Sequence, residues 1–211
     1  MKKHFISTVI LFSCITLLHA QTKLSVKTGF NYSTARAYTG QLKQSTGFMP
    51  GANLGIQLNT VFEGLLHFTP SVSYQNRGFV INNKSNNSKT SNFIHYADLA
   101  PLLSIFVKTG KKHSLSISAG PVASLAIAGT EKTTINGSSS TQKMKFSTTN
   151  NYGLFDFSLL AGAGFHLKKW YLEANYYHGL ANINNNVSRD FRNIRNRTIN
   201  ISLGYYLKSY D

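Results

Sequence analysis

The sequence predicts an all-β fold, an eight-stranded antiparallel up-and-down transmembrane β-barrel. Three observations predict it. Apolar residues recur with a period of two, and long and short connections alternate. After the amino-terminal segment, no apolar run is long enough to form a membrane-spanning helix. The period is clearest in a hairpin, where every second residue is apolar from Phe155 to Leu167 and from Trp170 to Tyr176. A period of two belongs to a strand, and each arm has about the ten residues that a tilted strand needs to cross a bilayer. The two-residue turn at 168–169 puts both apolar faces on the same side of the hairpin.

The first twenty residues have the features of a cleaved secretory signal. Two lysines precede an apolar stretch from Phe5 to Leu18, and Ala20 stands before the polar Gln21. This pattern predicts cleavage after residue 20 and leaves residues 21–211 as one barrel domain. The alternative is a lipoprotein signal that uses Cys14.

Composition excludes several classes of protein. Cys14 is the only cysteine, so the mature chain forms no disulfide and no cysteine metal site. No run of about 18 apolar residues follows the signal, and only a closed barrel could then span a membrane. The net charge is +15, or +13 without Lys2 and Lys3. Charge alone would suggest nucleic acid as a partner, but a secreted barrel argues against it.

The first four strands are predicted at residues 23–33, 48–59, 65–75 and 94–107. One parity of each strand is apolar: Leu24, Val26, Phe30 and Tyr32 in the first, Leu54, Ile56 and Leu58 in the second, Leu66, Phe68, Val72 and Tyr74 in the third, and Leu99, Leu103, Ile105 and Val107 in the fourth. The other parity is mostly small or polar, as in Asn53, Gln57 and Ser73. This alternation predicts one face against lipid and one face toward the barrel interior.

The last four strands are predicted at residues 114–127, 155–167, 170–177 and 198–208. Strands five and eight again have one apolar parity: Leu115, Ile117, Ala119, Leu125 and Ile127, and Ile199, Ile201, Leu203, Tyr205 and Leu207. Long loops are predicted at 34–46, 76–92, 128–151 and 182–194, and they alternate with short connections. This pattern is typical of an outer-membrane barrel with short periplasmic turns, long external loops and both termini in the periplasm.

The alternative fold is a soluble, lipocalin-like barrel whose apolar face surrounds a ligand. Such a barrel needs charged residues on its outer face to stay in water. Here the polar faces are mostly Gly, Ser, Thr and Asn, with few charges. These residues suit a crowded, hydrogen-bonded interior, so the pattern favours the membrane barrel.

Eight segments carry a family resemblance along the mature chain. They are KTGFNYS at 27–33, FMPGANLGI at 48–56, FTPSVSYQNRGF at 68–79, HYADLAPLL at 95–103, ISAGPVASL at 117–125, FDFSLLAGAGF at 155–165, LEANYYHGLANI at 172–183 and RNRTINISLGYYL at 195–207. In this order they resemble the outer-membrane β-barrel domain of porin-family and PorT-like proteins. The resemblance implies an eight-stranded barrel in the outer membrane and implies little about activity.

The barrel interior is the first candidate site. Eight strands leave an interior just wide enough for side chains to fill it, so an open diffusion pore is not expected. The inward parity predicts a polar network of Lys27, Asp98, Asp156, Glu173 and Tyr177. Three carboxylates against one lysine have two interpretations: a structural network that plugs the barrel, or a path for ions or protons.

No catalytic constellation is predicted. His178 falls on the lipid-facing parity and His95 near a strand end, and neither has an evident nucleophile or orienting carboxylate in the sequence. There is no metal-ligand spacing and no phosphate loop. The sequence therefore predicts a protein that is not an enzyme and that uses no metal or cofactor.

The predicted external loops are strongly basic. Twelve basic residues stand against Glu131 and Asp190: Arg36, Lys43, Arg77, Lys84, Lys89, Lys132, Lys143, Lys145, Arg189, Arg192, Arg195 and Arg197. The outer leaflet carries phosphorylated glycolipid, and guanidinium groups suit phosphate. The hypothesis is that RDFRNIRNR at 189–197 contacts these phosphates through its four arginines, Arg189, Arg192, Arg195 and Arg197. The alternative is a solvated loop without a specific partner.

Together, these features predict a monomeric outer-membrane barrel with a structural or adhesive role at the cell surface. Two alternatives stay open: a component of a transport or secretion assembly, which the PorT-like resemblance allows, and a narrow channel for small solutes. The sequence does not identify a protein partner.

Overall fold

A computed structural model of the protein describes residues 22–83, 88–110, 112–149, 152–185 and 193–208. Eight antiparallel strands form its wall: β1 (Lys23–Thr39), β2 (Met49–Glu63), β3 (Leu66–Phe68 and Ser71–Asn83), β4 (Ser88–Ala100 and Leu103–Lys108), β5 (Ser114–Ile135), β6 (Phe155–His166), β7 (Trp170–Gly179) and β8 (Asn193–Lys208). Short strands lie at Leu42–Lys43, Ser45–Gly47, Ser138–Lys143, Phe146–Ser147 and Tyr152–Gly153. The predicted signal at 1–20 lies outside the described residues.

The eight strands close into a ring. Each strand pairs antiparallel with the next one along the chain, and β1 also pairs with β8. Phe30 on β1, for example, lies opposite Ala52 on β2 and Ile201 on β8. Closure gives each of the eight described strands a partner on both sides. The predicted fold class is confirmed.

The wall is apolar outside and polar inside. Phe30 is 79% exposed, whereas its neighbour Asn31, on the opposite face of β1, is 2% exposed. The same contrast recurs in every strand, as in Ile117 against Ser116. Among the described residues, no helix is long and apolar enough to span a membrane. The outward apolar surface fits a lipid environment, in which the strands cross the bilayer.

The two ends of the barrel differ. We call one end of the barrel the terminal end. It contains the start of β1, the end of β8 and the short turns. One of these turns follows Glu63, where Gly64 has a φ of 56° that favours glycine. At the other end, here the loop end, the strands extend well beyond their predicted limits. β1 runs to Thr39 and not to residue 33, and β3 runs to Asn83 and not to residue 75.

The predicted loops at 76–92 and 128–151 were therefore wrong in large part. β3 and β4 stay paired up to Asn83 opposite Ser88, and β5 continues to Ile135 and folds back on Ser138–Lys143. The reason is an inversion of the pattern. In the extensions many inward residues are apolar, such as Ala35 and Phe79, and the outward ones are largely polar. A prediction that follows outward apolar residues therefore ends each strand at the membrane boundary, before the strand itself ends.

Prolines mark irregular points of the wall. Pro70 and Pro101 fall in the breaks within β3 and β4, where no ladder hydrogen bond is lost. Pro121 lies inside β5. It stands opposite the break in β4, between the pairs Leu103–Ala119 and Leu99–Ala123, so its missing N–H falls where pairing is already interrupted.

Replacing Gly204 with alanine is expected to lower the free energy of unfolding by about 1–3 kcal/mol, the usual cost of overpacking. Gly204 pairs with Tyr171, and a Cβ at Gly204 would overlap with the tyrosine ring. The ring is fixed by a 2.9 Å hydrogen bond between its hydroxyl and Ser25 Oγ. The measurement is a urea titration of the detergent-folded barrel, in which unboiled gel mobility reports the folded fraction.

The control is Gly110→Ala, because the nearest atom to a Cβ at Gly110, His113 Cδ2, lies at an ordinary 3.6 Å. Equal midpoints for the two variants would show that the ring over Gly204 does not restrict the site.

Candidate functional site

The lower part of the lumen, toward the terminal end, holds an ion pair joined by an amide. Lys27 Nζ donates to Gln57 Oε1 at 2.6 Å and to Glu173 Oε2 at 3.5 Å. Gln57 Nε2 donates in turn to Glu173 Oε1 at 3.2 Å. Both charged side chains are 8% exposed. The structure thus brings together two of the predicted lumen residues, Lys27 and Glu173, and adds Gln57 between them.

The upper part of the lumen holds an arginine between two aspartates. Arg77 NH2 donates to Asp98 Oδ2, and Arg77 NH1 lies 3.8 Å from Asp156 Oδ2. Arg77 NH1 also donates to Ser124 Oγ at 3.3 Å, and Asn196 Nδ2 donates to Asp156 Oδ2 at 2.8 Å. The arginine and both aspartates are at most 2% exposed. We call this group the arginine cluster. It places Asp98 and Asp156, which were predicted for the lumen, around Arg77, a cation that the predicted network did not include.

Two tyrosine rings complete the arginine cluster. The guanidinium carbon of Arg77 lies 5.1 Å from the ring centre of Tyr96 and 4.9 Å from that of Tyr177. The Tyr177 hydroxyl accepts a 2.9 Å hydrogen bond from Gln75 Nε2. Cation–π contacts of this kind are stronger when desolvated, as they are here. Tyr177, predicted for the lumen, therefore belongs to the arginine cluster.

Arg77 was wrongly predicted to lie in an external loop. It is on β3 and points into the barrel with 1% of its surface exposed. The prediction ended the third strand at Gln75, two residues before Arg77, and therefore counted only one cation in the lumen. The inward parity of Ser71, Ser73 and Gln75 continues directly to Arg77, and that signal could have found it. Glu131 also lies inside, where it accepts a 2.8 Å hydrogen bond from Gln142.

An apolar cap covers the lumen at the loop end. Its buried residues are Ala35, Ala37, Phe79, Ile81, Ile94, Tyr96, Ala126, Met144, Tyr152, Ile183 and Ile194. Phe146 packs against them. The sequence predicted a polar plug, and the structure corrects this: polar clusters below, an apolar core above. Transfer of an ion through such a core is costly.

The outer surface at the loop end carries the second site. Arg195 and Arg197 were predicted to lie in a loop, but both are on β8 and point away from the lumen. Arg36, on β1, lies directly opposite Arg195. Arg197 lies opposite Thr34 on one side and His178 on the other. Arg189 and Arg192, predicted for the same surface, lie outside the described residues.

A groove of about 430 Å³ runs along this surface. It is lined by Tyr32, Thr34, Arg36, Phe48, Tyr176, His178, Arg197, Thr198 and Ile199. Tyr32 and Phe48 stack with ring centres 4.5 Å apart, and Tyr176 meets His178 edge to face at 6.2 Å. We call the groove, together with the adjacent Arg195, the basic groove. It offers guanidinium groups above an aromatic and aliphatic floor.

The histidines of the described ranges do not form a recognisable catalytic site. His95 contacts the hydroxyl of Tyr74 on the outer face of the wall. Inside, the ring of His166 contacts Ser116 Oγ at 2.8 Å and the Tyr206 hydroxyl at 2.9 Å, a chain that the sequence reasoning missed. In this chain the imidazole of His166 contacts the neutral hydroxyl of Tyr206. In hydrolases a carboxylate occupies that place and stabilises the charged imidazole. In the described part of the chain, no three His, Cys, Asp or Glu residues are grouped to hold a metal ion.

Comparison with known proteins gives a family match. The sequence model of a family described as outer membrane protein beta-barrel domain matches residues 19–185. No curated protein matches the chain.

Several solved structures are similar to the chain at low identity. Ail of Yersinia pestis, solved in complex with the heparin analogue sucrose octasulfate, is 16% identical with a TM-score of 0.42, over 89% of this chain and 99% of Ail. Neisserial surface protein A is 15% identical with a TM-score of 0.39, over 86% and 96%. The N-terminal barrel domain of Pseudomonas aeruginosa OprF is 11% identical with a TM-score of 0.36, over 89% and 100%.

Proposed function

The chain belongs to the outer membrane protein beta-barrel domain family, and from this we propose that it is a sealed, monomeric, non-enzymatic barrel with a structural or adhesive role at the cell surface. It lies in the outer membrane. In the proposal the terminal end faces the periplasm, and the loop end with its basic outer face is directed outward.

The filling of the lumen is the observation that carries this proposal. The arginine cluster crosses the lumen with Arg77 between Asp98 and Asp156, and the apolar cap lies above it. A solute that moved along the axis would have to break a buried ion pair and then enter an apolar core, both of which are costly. These two barriers favour a sealed barrel over a narrow channel or an ion path.

We expect the purified, refolded protein to give no ion current in a planar bilayer. A hydrated ion would have to displace the apolar cap and break the arginine cluster to pass along the axis. A porin of known open pore, reconstituted in the same membrane, sets the sensitivity. Steady current steps that scale with the amount of refolded protein would contradict the proposal and favour the channel.

The surface role is supported by the shape and charge of the loop end. The strands continue past the membrane-facing region, and the residues of Ser138–Lys143 are all exposed. Arg36, Arg195 and Arg197 point outward at this end of the barrel. Such a surface suits contact with anionic groups, and the phosphorylated glycolipid around the barrel is the partner that we propose.

The PorT-like resemblance gives a second outcome to test. If a periplasmic protein copurified with the chain in stoichiometric amounts after mild detergent extraction, the role would be that of a component in a transport or secretion assembly. A monomer that carries lipid alone would support the structural or adhesive role.

A further inference from the structure

We propose that the basic groove is a binding site for the phosphate of an outer-leaflet glycolipid, held by Arg36, Arg195 and Arg197. This inference rests on the proposed function, because it requires the loop end to face outward. It goes further because it places the lipid on the membrane-facing wall of β1 and β8 and names the side chains that bind its phosphate.

The first argument is the placement of like charges. Arg36 and Arg195 lie directly opposite each other on neighbouring strands, and Arg197 follows on the same face of β8. Like charges in directly opposed positions destabilise a sheet. An anion that binds between the guanidinium groups would remove this repulsion.

The second argument is where the carboxylates lie. Of the described ones, Asp98, Asp156 and Glu173 are buried in the lumen, as is Glu131, and Glu63 lies at the terminal end. No described carboxylate therefore faces the basic groove. Asp190 and Asp211 lie outside the described residues. The described wall supplies three cations and no anion of its own at this position, a charge pattern that an anionic ligand would complement.

The third argument is the preorganisation of Arg197. Its NH1 donates to the backbone oxygen of Gly179 at 3.2 Å, which holds the guanidinium against the wall. A guanidinium has five N–H donors, and this bond uses one. A planar donor fork that is already oriented suits the oxygen atoms of a phosphate and loses less side-chain entropy on binding.

The fourth argument distinguishes a lipid from a soluble anion. The floor of the groove is formed by Tyr32, Phe48, Tyr176 and Ile199, which are all outward-facing and about half exposed. Arg197 and Arg195 follow Ile199 two and four residues further toward the loop end, roughly 7 and 14 Å along the strand. Aromatic side chains at this level are typical of the membrane interface. The groove therefore presents apolar contacts for acyl chains directly below charged contacts for a headgroup phosphate.

The test begins with the full chain in its native outer membrane. The triple variant Arg36→Gln/Arg195→Gln/Arg197→Gln is compared with wild type and with a control of equal charge change, Lys132→Gln/Lys143→Gln/Lys145→Gln, whose lysines are exposed at the same end. After mild detergent extraction, glycolipid phosphorus per barrel is measured. We expect the arginine variant to retain about tenfold less than wild type, since it loses charge-assisted contacts, and the lysine control to retain the wild-type amount.

A second measurement identifies the source of the phosphate. Refolded protein is titrated with vesicles that contain the phosphorylated glycolipid, with vesicles that contain its dephosphorylated form, and with inorganic phosphate. We expect strong binding only to the first vesicles and no displacement of the lipid by inorganic phosphate. Displacement by inorganic phosphate would overturn the lipid assignment in favour of a free-anion site.

Equal phosphorus in wild type and the arginine variant, or an equal loss in the lysine control, would also overturn the proposal. The same preparations are tested for unboiled gel mobility and bilayer current. A compact, silent barrel that shows no difference in lipid would refute the binding site and leave the sealed barrel intact. A conducting barrel would refute the proposed function independently of the lipid.

Discussion

Replacing Arg77 with methionine is expected to lower the free energy of unfolding of the barrel by about 3–5 kcal/mol, the usual cost of breaking a buried ion pair from one side. Methionine has a similar length but no charge. It would leave Asp98 and Asp156 buried without their cation, and it would remove the stacking on Tyr96 and Tyr177. The midpoint of urea unfolding in detergent, scored by unboiled gel mobility, is the measurement.

The matched control neutralises the whole cluster with Arg77→Met/Asp98→Asn/Asp156→Asn. Because an uncharged cluster leaves no buried charge unpaired, we expect this triple variant to recover most of the loss. A triple variant no more stable than Arg77→Met would mean that the cost comes from packing and not from charge.

Replacing Phe79 with alanine is expected to cost about 3–5 kcal/mol, in the range for a buried phenylalanine. Phe79 is 0% exposed within the apolar cap, so its removal leaves a cavity there. The urea midpoint measures the loss, and bilayer current shows whether the cavity admits ions.

The control for Phe79 is Phe157→Ala, which removes the same side chain from the lipid-facing wall, where Phe157 is 53% exposed. We expect a clearly smaller loss for Phe157→Ala, because surrounding lipid fills the space. If the two variants lost equal stability, the apolar cap would not be a packed core.

The outward parity of the eight strands could be predicted because lipid imposes one requirement on every membrane-spanning strand. Phe30, Ile117 and Ile201 all have the exposure that alternation indicates. The strand ends could not be found in the same way. Beyond the membrane boundary the outer solvent is water and the inward side chains are apolar, so the pattern that defined the strands reverses at positions such as Ala35 and Phe79.

The lumen network and the basic groove could be predicted from the sequence to different degrees. Lys27 and Glu173 could be placed in the lumen from parity alone, but their link through Gln57 depends on the register between strands. Arg36 and Arg195 are far apart in the sequence and meet because the first and last strands pair in the closed barrel. Their juxtaposition could not be deduced once both had been assigned to loops.

In the proposed orientation, the long β5 hairpin projects from the outer surface of the membrane. Its tip, at Asn136 and Gly137, has the positive φ values of a tight turn, and it lies about 30 Å along the strand from Ile127, which is exposed on the outer wall. With the tilt usual for a barrel, this corresponds to a height of roughly 20–25 Å. In the proposed orientation, antibodies and phages would therefore meet this hairpin above the lipid headgroups, so sequence change under immune or phage pressure should concentrate at its tip and spare the apolar residues that hold it upright.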